Sequence, residues 1–304
     1  MSTTGRPPAV MSNPRADRVK DVAKLAGRPA RLKRRQFLAE GPQAVREALL
    51  AHRAAIDEGL PPVVAEVFAT EVCLERYPEF PDLASGLPLR LASDDVIAAM
   101  ADTVSPQGIV AVCHFVDRTL DNVLAAGPRL LAVMVRVQDP GNAGTVLRAA
   151  DSAGADAVIL TSSSVDIYNP KAVRSTVGSL FHLPVVTGVD FEVLIQRLQA
   201  RGIVLLAADG YGDIDLDRLQ DESALRRLGN QEVGSGSPER TGPALEAATA
   251  WLFGNEGQGL SDAELASAQY RVAVPLYGQA ESLNVGTAAT VCLYASARAQ
   301  RELV

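Results

Sequence analysis

The sequence predicts an α/β protein in two parts. A small N-terminal α/β domain precedes a larger domain built on a parallel sheet. Three observations carry this prediction. After residue 129, apolar segments of strand length alternate with helical segments. Before it, about 80 residues alternate between short helices and strands, enough for a small domain. Between them, residues 116–128 form a mixed, polar stretch ending at Gly127-Pro128, which reads as a linker.

The elements follow in order. Residues 1–30 are rich in Pro, Ser, Arg and Gly without clear periodicity, and read as a disordered leader. The first domain is expected over residues 31–115. Gly41-Pro42 precedes Gln43–Ala51, where Ala44, Val45, Ala48 and Leu49 recur at helical spacing. Val63–Ala69, Leu87–Leu91 and Gly108–Phe115 read as strands. Ser93 is placed to cap a helix running to Met100, with Asp94 and Asp95 in its first turn.

In the second domain, residues 129–304, strands are expected at Leu130–Val137, Ala157–Leu160, Leu183–Val186, Ile203–Ala208, Ala250–Gly254 and Tyr270–Pro275. Helices follow Asp139, Asn169, Asp190 and Ser261, and a long one starts near Leu283. Residues 217–248, charged and then Gly-Ser rich, fit poorly and read as a partly flexible excursion between two strands.

Composition limits the function. The 304 residues are 47% hydrophobic, so a sizeable core is available. No apolar run reaches the roughly 18–20 residues that cross a bilayer, and no secretory signal opens the chain. The three cysteines, Cys73, Cys113 and Cys292, are far apart, and His52, His114 and His182 are scattered. Neither a disulfide framework nor a metal site is expected, and the cytoplasm is the default compartment. Net charge is −7, yet residues 1–35 hold ten of the 29 lysines and arginines and only two of the 36 acids. A +8 segment on an otherwise acidic chain either engages RNA phosphates or merely keeps the chain soluble.

Three polar loops occupy equivalent places, each after a predicted strand, where an open parallel sheet forms its ligand crevice. The first runs Gln138-Asp139-Pro140-Gly141-Asn142-Ala143-Gly144-Thr145-Val146-Leu147-Arg148. It lacks GxGxxG, which disfavours a nicotinamide enzyme. The second, Gly254-Asn255-Glu256-Gly257-Gln258-Gly259-Leu260, carries three glycines that let backbone approach a ligand. The third, Leu276 to Gly286, opens the last helix. Taken alone, Arg148 is a helix-surface arginine, Asn142 a turn or cap residue, and Glu256 a solvated loop carboxylate. Ser282 and Asn284 are short polar groups at a helix start.

In order, Asn142–Ala150, Leu252–Leu260 and Val274-Pro275-Leu276 through Ser282-Leu283-Asn284-Val285-Gly286 match the motifs of a known family. Asn169–Arg174 and Phe181–Pro184 resemble it too. From about Leu130 to Ala299 the chain resembles the SpoU/TrmH RNA ribose methyltransferases of the SPOUT superfamily. The stretches Arg35–Gly41 and Ser105–Ala111 resemble the family's substrate-binding domain.

The resemblance implies a trefoil-knotted methyltransferase domain and S-adenosylmethionine as cofactor. It implies 2′-O-methylation of RNA, ribosomal RNA foremost, with transfer RNA as the rival substrate and a non-catalytic RNA-binding or ribosome-assembly factor as the alternative of another class. It gives Arg148, Asn142, Glu256, Ser282 and Asn284 catalytic roles, with Glu256 holding Arg148 or the nucleotide. Gly254, Val274 and Leu283 become cofactor contacts, and a homodimer is expected. Because a guanidinium rarely releases a proton, Arg148 acts either through an RNA phosphate or by orienting phosphate and hydroxyl.

Overall fold

The computed structural model describes residues 10–227 and 242–301. They divide into two compact units. One takes the chain up to Val116 together with Asp166–His182; the other takes Asp117–Val165 and everything from Leu183 onward.

The first unit begins with helices α1 (Asp17–Ala23) and α2 (Arg28–Arg34), joined by a 3-10 turn at Lys24–Ala26. Then come β1 (Gln36–Glu40), α3 (Pro42–Asp57), β2 (Val64–Ala69), α4 (Glu71–Arg76), α5 (Phe80–Leu83), β3 (Leu89–Leu91), α6 (Asp94–Met100) and β4 (Ile109–His114). The sheet order is β1-β4-β2-β3, antiparallel except for the β2–β3 pair. Ser93 caps α6 through the Val96 N–H, as the sequence suggested.

The disordered reading of residues 1–30 is corrected. Residues 1–9 lie outside the described residues, but those after them are built into the core. Met11 exchanges backbone hydrogen bonds with Leu91 and Ser93. Val19, Val22 and Leu25, each at most 1% exposed, pack in one cluster with Phe68, Val96, Ile97 and Met100. Burial of such side chains stabilises by roughly 1.5–3 kcal/mol each, which outweighs the poor local propensity that hid these helices.

The second unit opens with α7 (Leu120–Ala125), which corrects the linker. Thr119 caps it, and Val123 and Leu124 are buried in the main core cluster. β5 (Leu130–Met134), α8 (Pro140–Ala153) and β6 (Ala157–Thr161) follow. The chain then returns to the first unit over Asp166–His182, which includes α9 (Pro170–Thr176). Phe37 packs there against the tilted ring of Tyr168 and stacks on Phe181. This stretch was expected to belong wholly to the second domain.

β7 (Val185–Val189), α10 (Phe191–Gln199), β8 (Val204–Ala208), β9 (Ile214–Asp215) and α11 (Leu216–Arg227) come next. Within residues 217–248, α11 replaces the expected loop with a helix anchored by buried Leu216 and Leu219. The Gly-Ser stretch lies outside the described residues. β10 (Thr249–Phe253), α12 (Asp262–Ser267), β11 (Tyr270–Ala273) and α13 (Val285–Gln300) complete the unit. All strand pairs are parallel, in the order β7-β6-β5-β10-β8-β11-β9. Every residue of β5, β6 and β10 is buried, as expected of strands covered on both faces.

Candidate functional site

Because β5 and β10 are neighbours in parallel register, their carboxyl ends place the loops after Met134 and Phe253 side by side. Two residues stitch these loops together. The Asn255 Nδ2 donates to the Arg136 carbonyl at 3.1 Å. Arg136, held at φ 57°, donates to Glu264 at 2.7 Å and to the Gly259 carbonyl. That pairing holds the Arg136 pKa above its ordinary value.

Glu256 is the centre of the site. Its carboxylate accepts the Gln138 N–H at 3.1 Å, the Asp139 N–H at 2.9 Å and the Asn142 Nδ2 at 3.1 Å. Burial pushes its pKa up, but hydrogen bonds from the Asp139 backbone, its own backbone, Gln138 and Asn142 outweigh that and leave it below the usual carboxyl value. Glu256 is therefore an ionised anchor whose acceptor positions are largely taken.

Asn142 lies in the first turn of α8, where Asp139 caps the helix by accepting the Asn142 N–H. Its Oδ1 accepts from Asn284 Nδ2 at 3.0 Å. Asn284 is in turn the N-cap of α13 and accepts the Gly286 N–H. Glu256, Asn142 and Asn284 thus form one chain of hydrogen bonds across three loops far apart in sequence.

Close backbone approach requires glycine at two points. A Cβ on Gly254 would lie 2.4 Å from Gly259 C and Leu260 N, within a loop closed by reciprocal Asn255–Gly259 backbone bonds. A Cβ on Gly286 would lie 2.6 Å from Thr145 Cγ2, so Gly286 lets α13 settle against α8.

The remaining residues do not join this network. Arg148 is exposed on α8 and has no hydrogen-bond or ion-pair partner among the described residues. Glu256 therefore does not hold it, contrary to one expectation: its acceptor atoms face the start of α8, and Arg148 lies nearly two turns further on. Ser282 is exposed without a hydrogen bond to another described residue. Val274 and Leu283 are half-buried, the first just past β11 and the second just before the Asn284 cap.

Sequence reasoning passed over Gln138 and Asp139, whose contribution is backbone N–H and so leaves no side-chain signature. It also passed over the loop Asp209–Gly212 after β8. That strand lies between β10 and β11, so its loop shares their edge of the sheet. Asp209 is held there by Arg271 at 2.7 Å, and Tyr211 is 91% exposed. The turn-forming residues after an apolar strand were the available signal. Among the described residues no cluster of metal-binding side chains occurs, and no helix is long and apolar enough to cross a membrane.

A parallel sheet whose carboxyl-end loops are tied into one polar network defines an α/β protein with a ligand crevice at the carboxyl ends of its strands. Residues 129–294 match the SpoU rRNA Methylase family, and residues 16–111 match the MRM3-like substrate binding domain. The chain belongs to the SpoU rRNA methylase family.

The chain is 36% identical, over 91% of its length and 94% of the relative's, to the 23S rRNA (guanosine(2553)-2′-O)-methyltransferase RlmP of Bacillus subtilis. It is 32% identical, over 69% of its length and 67% of the relative's, to the 23S rRNA (uridine(2479)-2′-O)-methyltransferase of Streptomyces viridochromogenes. Among solved structures, an RNA 2′-O ribose methyltransferase aligns with TM-score 0.73 at 27% identity, over 96% of this chain and 99% of the other. The SpoU methyltransferase AviRb from Streptomyces viridochromogenes, in complex with the cofactor AdoMet, aligns with TM-score 0.72 at 27% identity, over 93% and 98%.

Proposed function

We propose that this protein transfers a methyl group from S-adenosylmethionine to a ribose 2′-hydroxyl of ribosomal RNA. The observation that carries the reading is the Glu256–Asn142–Asn284 network, which brings the three family motifs together at one edge of the sheet. The named 23S rRNA 2′-O-methyltransferases among its relatives support the substrate.

The loops suit the cofactor. Residues 254–260 and 274–284 contain no lysine or arginine but hold Glu256 and Glu281. Neutral to acidic loops fit a sulfonium cation without phosphates better than a pyrophosphate-bearing dinucleotide, which favours positive partners. Gly254 allows backbone approach, and half-buried Val274 and Leu283 offer apolar surface for an adenine ring. When bound, S-adenosylmethionine supplies an electrophilic methyl carbon.

The chain's own residues then position the nucleophile. Arg148 orients an RNA phosphate and the ribose hydroxyl through its planar fork. Asn142 and Asn284 hold the sugar, with Ser282 beside them at the start of α13. Glu256 fixes Asn142 and the α8 entrance.

We read the functional division as a substrate-binding unit in the N-terminal part and a methyltransferase unit in the C-terminal part. Trefoil threading is supported by the place of β10, which inserts between β5 and β8, and by α13 packing back on α8. Homodimer formation is supported by an exposed stripe on α8 and α13, including Arg148, 37%-exposed Val291 and 48%-exposed Tyr294. A cytoplasmic location fits a ribosomal RNA substrate.

The test is transfer of labelled methyl to ribosomal RNA from cells lacking the protein, with 2′-O-methyl positions mapped. Label at a single ribose is the expected result. Label on a base, on transfer RNA only, or RNA binding without transfer would refute it.

A further inference from the structure

The chain leaves the first unit at Val116, re-enters it at Asp166, and leaves again at His182. The three residues Asp166–Tyr168 pin the first two of these crossings. Asp166 follows the crossing directly, and its Oδ2 accepts both Nε (3.1 Å) and Nη2 (2.8 Å) of Arg31. Arg31 is 2% exposed, and its Nη1 donates to the carbonyls of Leu25 and Ala26. A buried guanidinium with its donors so engaged is rigid, and so is the carboxylate it holds. Two residues on, the Tyr168 hydroxyl accepts the Val116 N–H at 3.0 Å, and its ring stacks on Phe115 at 3.9 Å. Val116 is the last residue before the other crossing.

On the far side of the second crossing the chain is tied to the candidate site. Val165 N–H donates to the Val137 carbonyl at 2.8 Å, and Gln138 Nε2 donates to the Ser163 carbonyl at 2.6 Å. Gln138 is one of the backbone donors to Glu256. A continuous path of bonds therefore runs from Arg31 through Asp166 and the peptide to Val165, then to Val137 and Gln138, and so to Glu256.

We propose that Arg31, Asp166 and Tyr168 are positioning residues for methyl transfer. They form a clasp that fixes Asp166 and, through its peptide bond to Val165 and the bond of Val165 to Val137, keeps the entrance loop at Gln138 and Asp139 in register. The inference rests on the proposed RNA 2′-O-methylation. A purely structural role for the buried pair predicts a different outcome. It would lower the melting temperature and RNA affinity but leave turnover at saturating RNA intact, because none of the three residues belongs to the motif loops. Clasping predicts loss of turnover in protein that still binds both reactants.

The experiment uses the full chain with two variants, Tyr168→Phe and Arg31→Met. Tyr168→Phe removes one oxygen and keeps the ring stack, so it serves as the decisive variant if Arg31→Met does not fold. Melting temperature, S-adenosylmethionine affinity, RNA affinity and kcat at saturating RNA are measured, with amide hydrogen exchange at Val165, Gln138 and Asp139. The expected result is a kcat about tenfold lower and exchange at those amides at least several-fold faster, with both affinities within about twofold of wild type. Wild-type kcat in folded Tyr168→Phe would overturn the proposal. A fall in RNA affinity that accounts for the whole loss would also overturn it. Failure of the underlying function would look different, since the wild-type protein itself would not methylate RNA.

Discussion

Replacing Gly254 by alanine tests the site at its tightest point. The added Cβ would meet Gly259 C and Leu260 N at 2.4 Å and Gly259 O at 2.6 Å. All three are backbone atoms, so no side chain can rotate away. The loop has to open by about an ångström, since carbon contacts settle near 3.5–4.0 Å. Opening forfeits the Asn255 N–H bond to Gly259 O (3.0 Å) and its reciprocal (2.8 Å). Each is worth about 1 kcal/mol net, and forced overpacking adds roughly 1–3 kcal/mol, giving a cost of about 3–5 kcal/mol. Because β10 itself is fully buried and paired on both edges, part of that cost should appear as local opening rather than global unfolding. Calorimetric titration with S-adenosylmethionine should show affinity weakened at least tenfold, and thermal melting should show a clear drop in Tm. A variant with wild-type Tm and wild-type cofactor affinity would refute both the close approach and the placement of the cofactor at this loop.

Three further outcomes are expected. Arg148→Ala should abolish methyl transfer with little change in cofactor affinity, and Arg148→Lys should fail nearly as badly for want of the planar fork; near-normal transfer by either, measured with labelled methyl, rejects the role. Burial, and next the nearby His114, hold the His52 pKa below 6.5 while its Nδ1 accepts the Val64 N–H. The unfolded chain therefore binds more protons as pH falls below about 6.5, so stability is intact above that value and declines as pH drops through the folded pKa. A series of melts from pH 7.5 to 5 should show this decline, and His52→Gln should flatten it. Finally, changing the exposed Arg15, Lys20, Arg28 and Lys33 together to Gln should weaken RNA binding and lower its log–log salt slope by about 0.7–0.9 for each phosphate no longer neutralised, whereas deleting residues 1–30 should instead destabilise the first unit by removing Val19, Val22 and Leu25 from its core.

The fold was legible where burial is dictated by local pattern. The runs Leu130–Met134, Ala157–Thr161 and Thr249–Phe253 are apolar enough to be only doubly covered strands, and Ser93 and Asn284 announce their helices. The N-terminal helices were not legible, because a few apolar residues among many cations read as a solvated segment until Phe68 and Met100 are known to face them. The return of Asp166–His182 to the first unit was hidden for a similar reason. It depends on Arg31 and Phe37, far away in sequence, whose preference for Asp166, Tyr168 and Phe181 no local window contains. At the site, the motifs gave the residue set, but the bonds that join it span 114 and 142 residues. Of the two roles the resemblance left open to Glu256, holding the nucleotide or holding Arg148, the second was consequently a misjudgement.

That misjudgement changes where the reaction's proton can go. From the family resemblance, Glu256 was expected to hold Arg148 or the nucleotide, and the proton acceptor was left open. In the structure it accepts two backbone N–H groups and the Asn142 amide, and those bonds hold its pKa below the ordinary carboxyl value. A carboxylate so engaged is a weak base at neutral pH, and protonating it would release the start of α8 and the Asn142–Asn284 link together. Asn142 and Asn284 carry neutral amides, and Arg148 carries a guanidinium, which offers donors only. None of these groups is suited to hold the proton of a ribose hydroxyl. What the site does provide is a guanidinium, unpartnered among the described residues, whose donors match a phosphate diester and a neighbouring hydroxyl at once. Under the proposed function, the protein's contribution is therefore geometric: Arg148 orients the phosphate and the hydroxyl, and the hydroxyl proton leaves to water as the bond to the methyl carbon forms. The residues present would hold sugar and phosphate against the methyl donor, with no side chain of the network needed as a base.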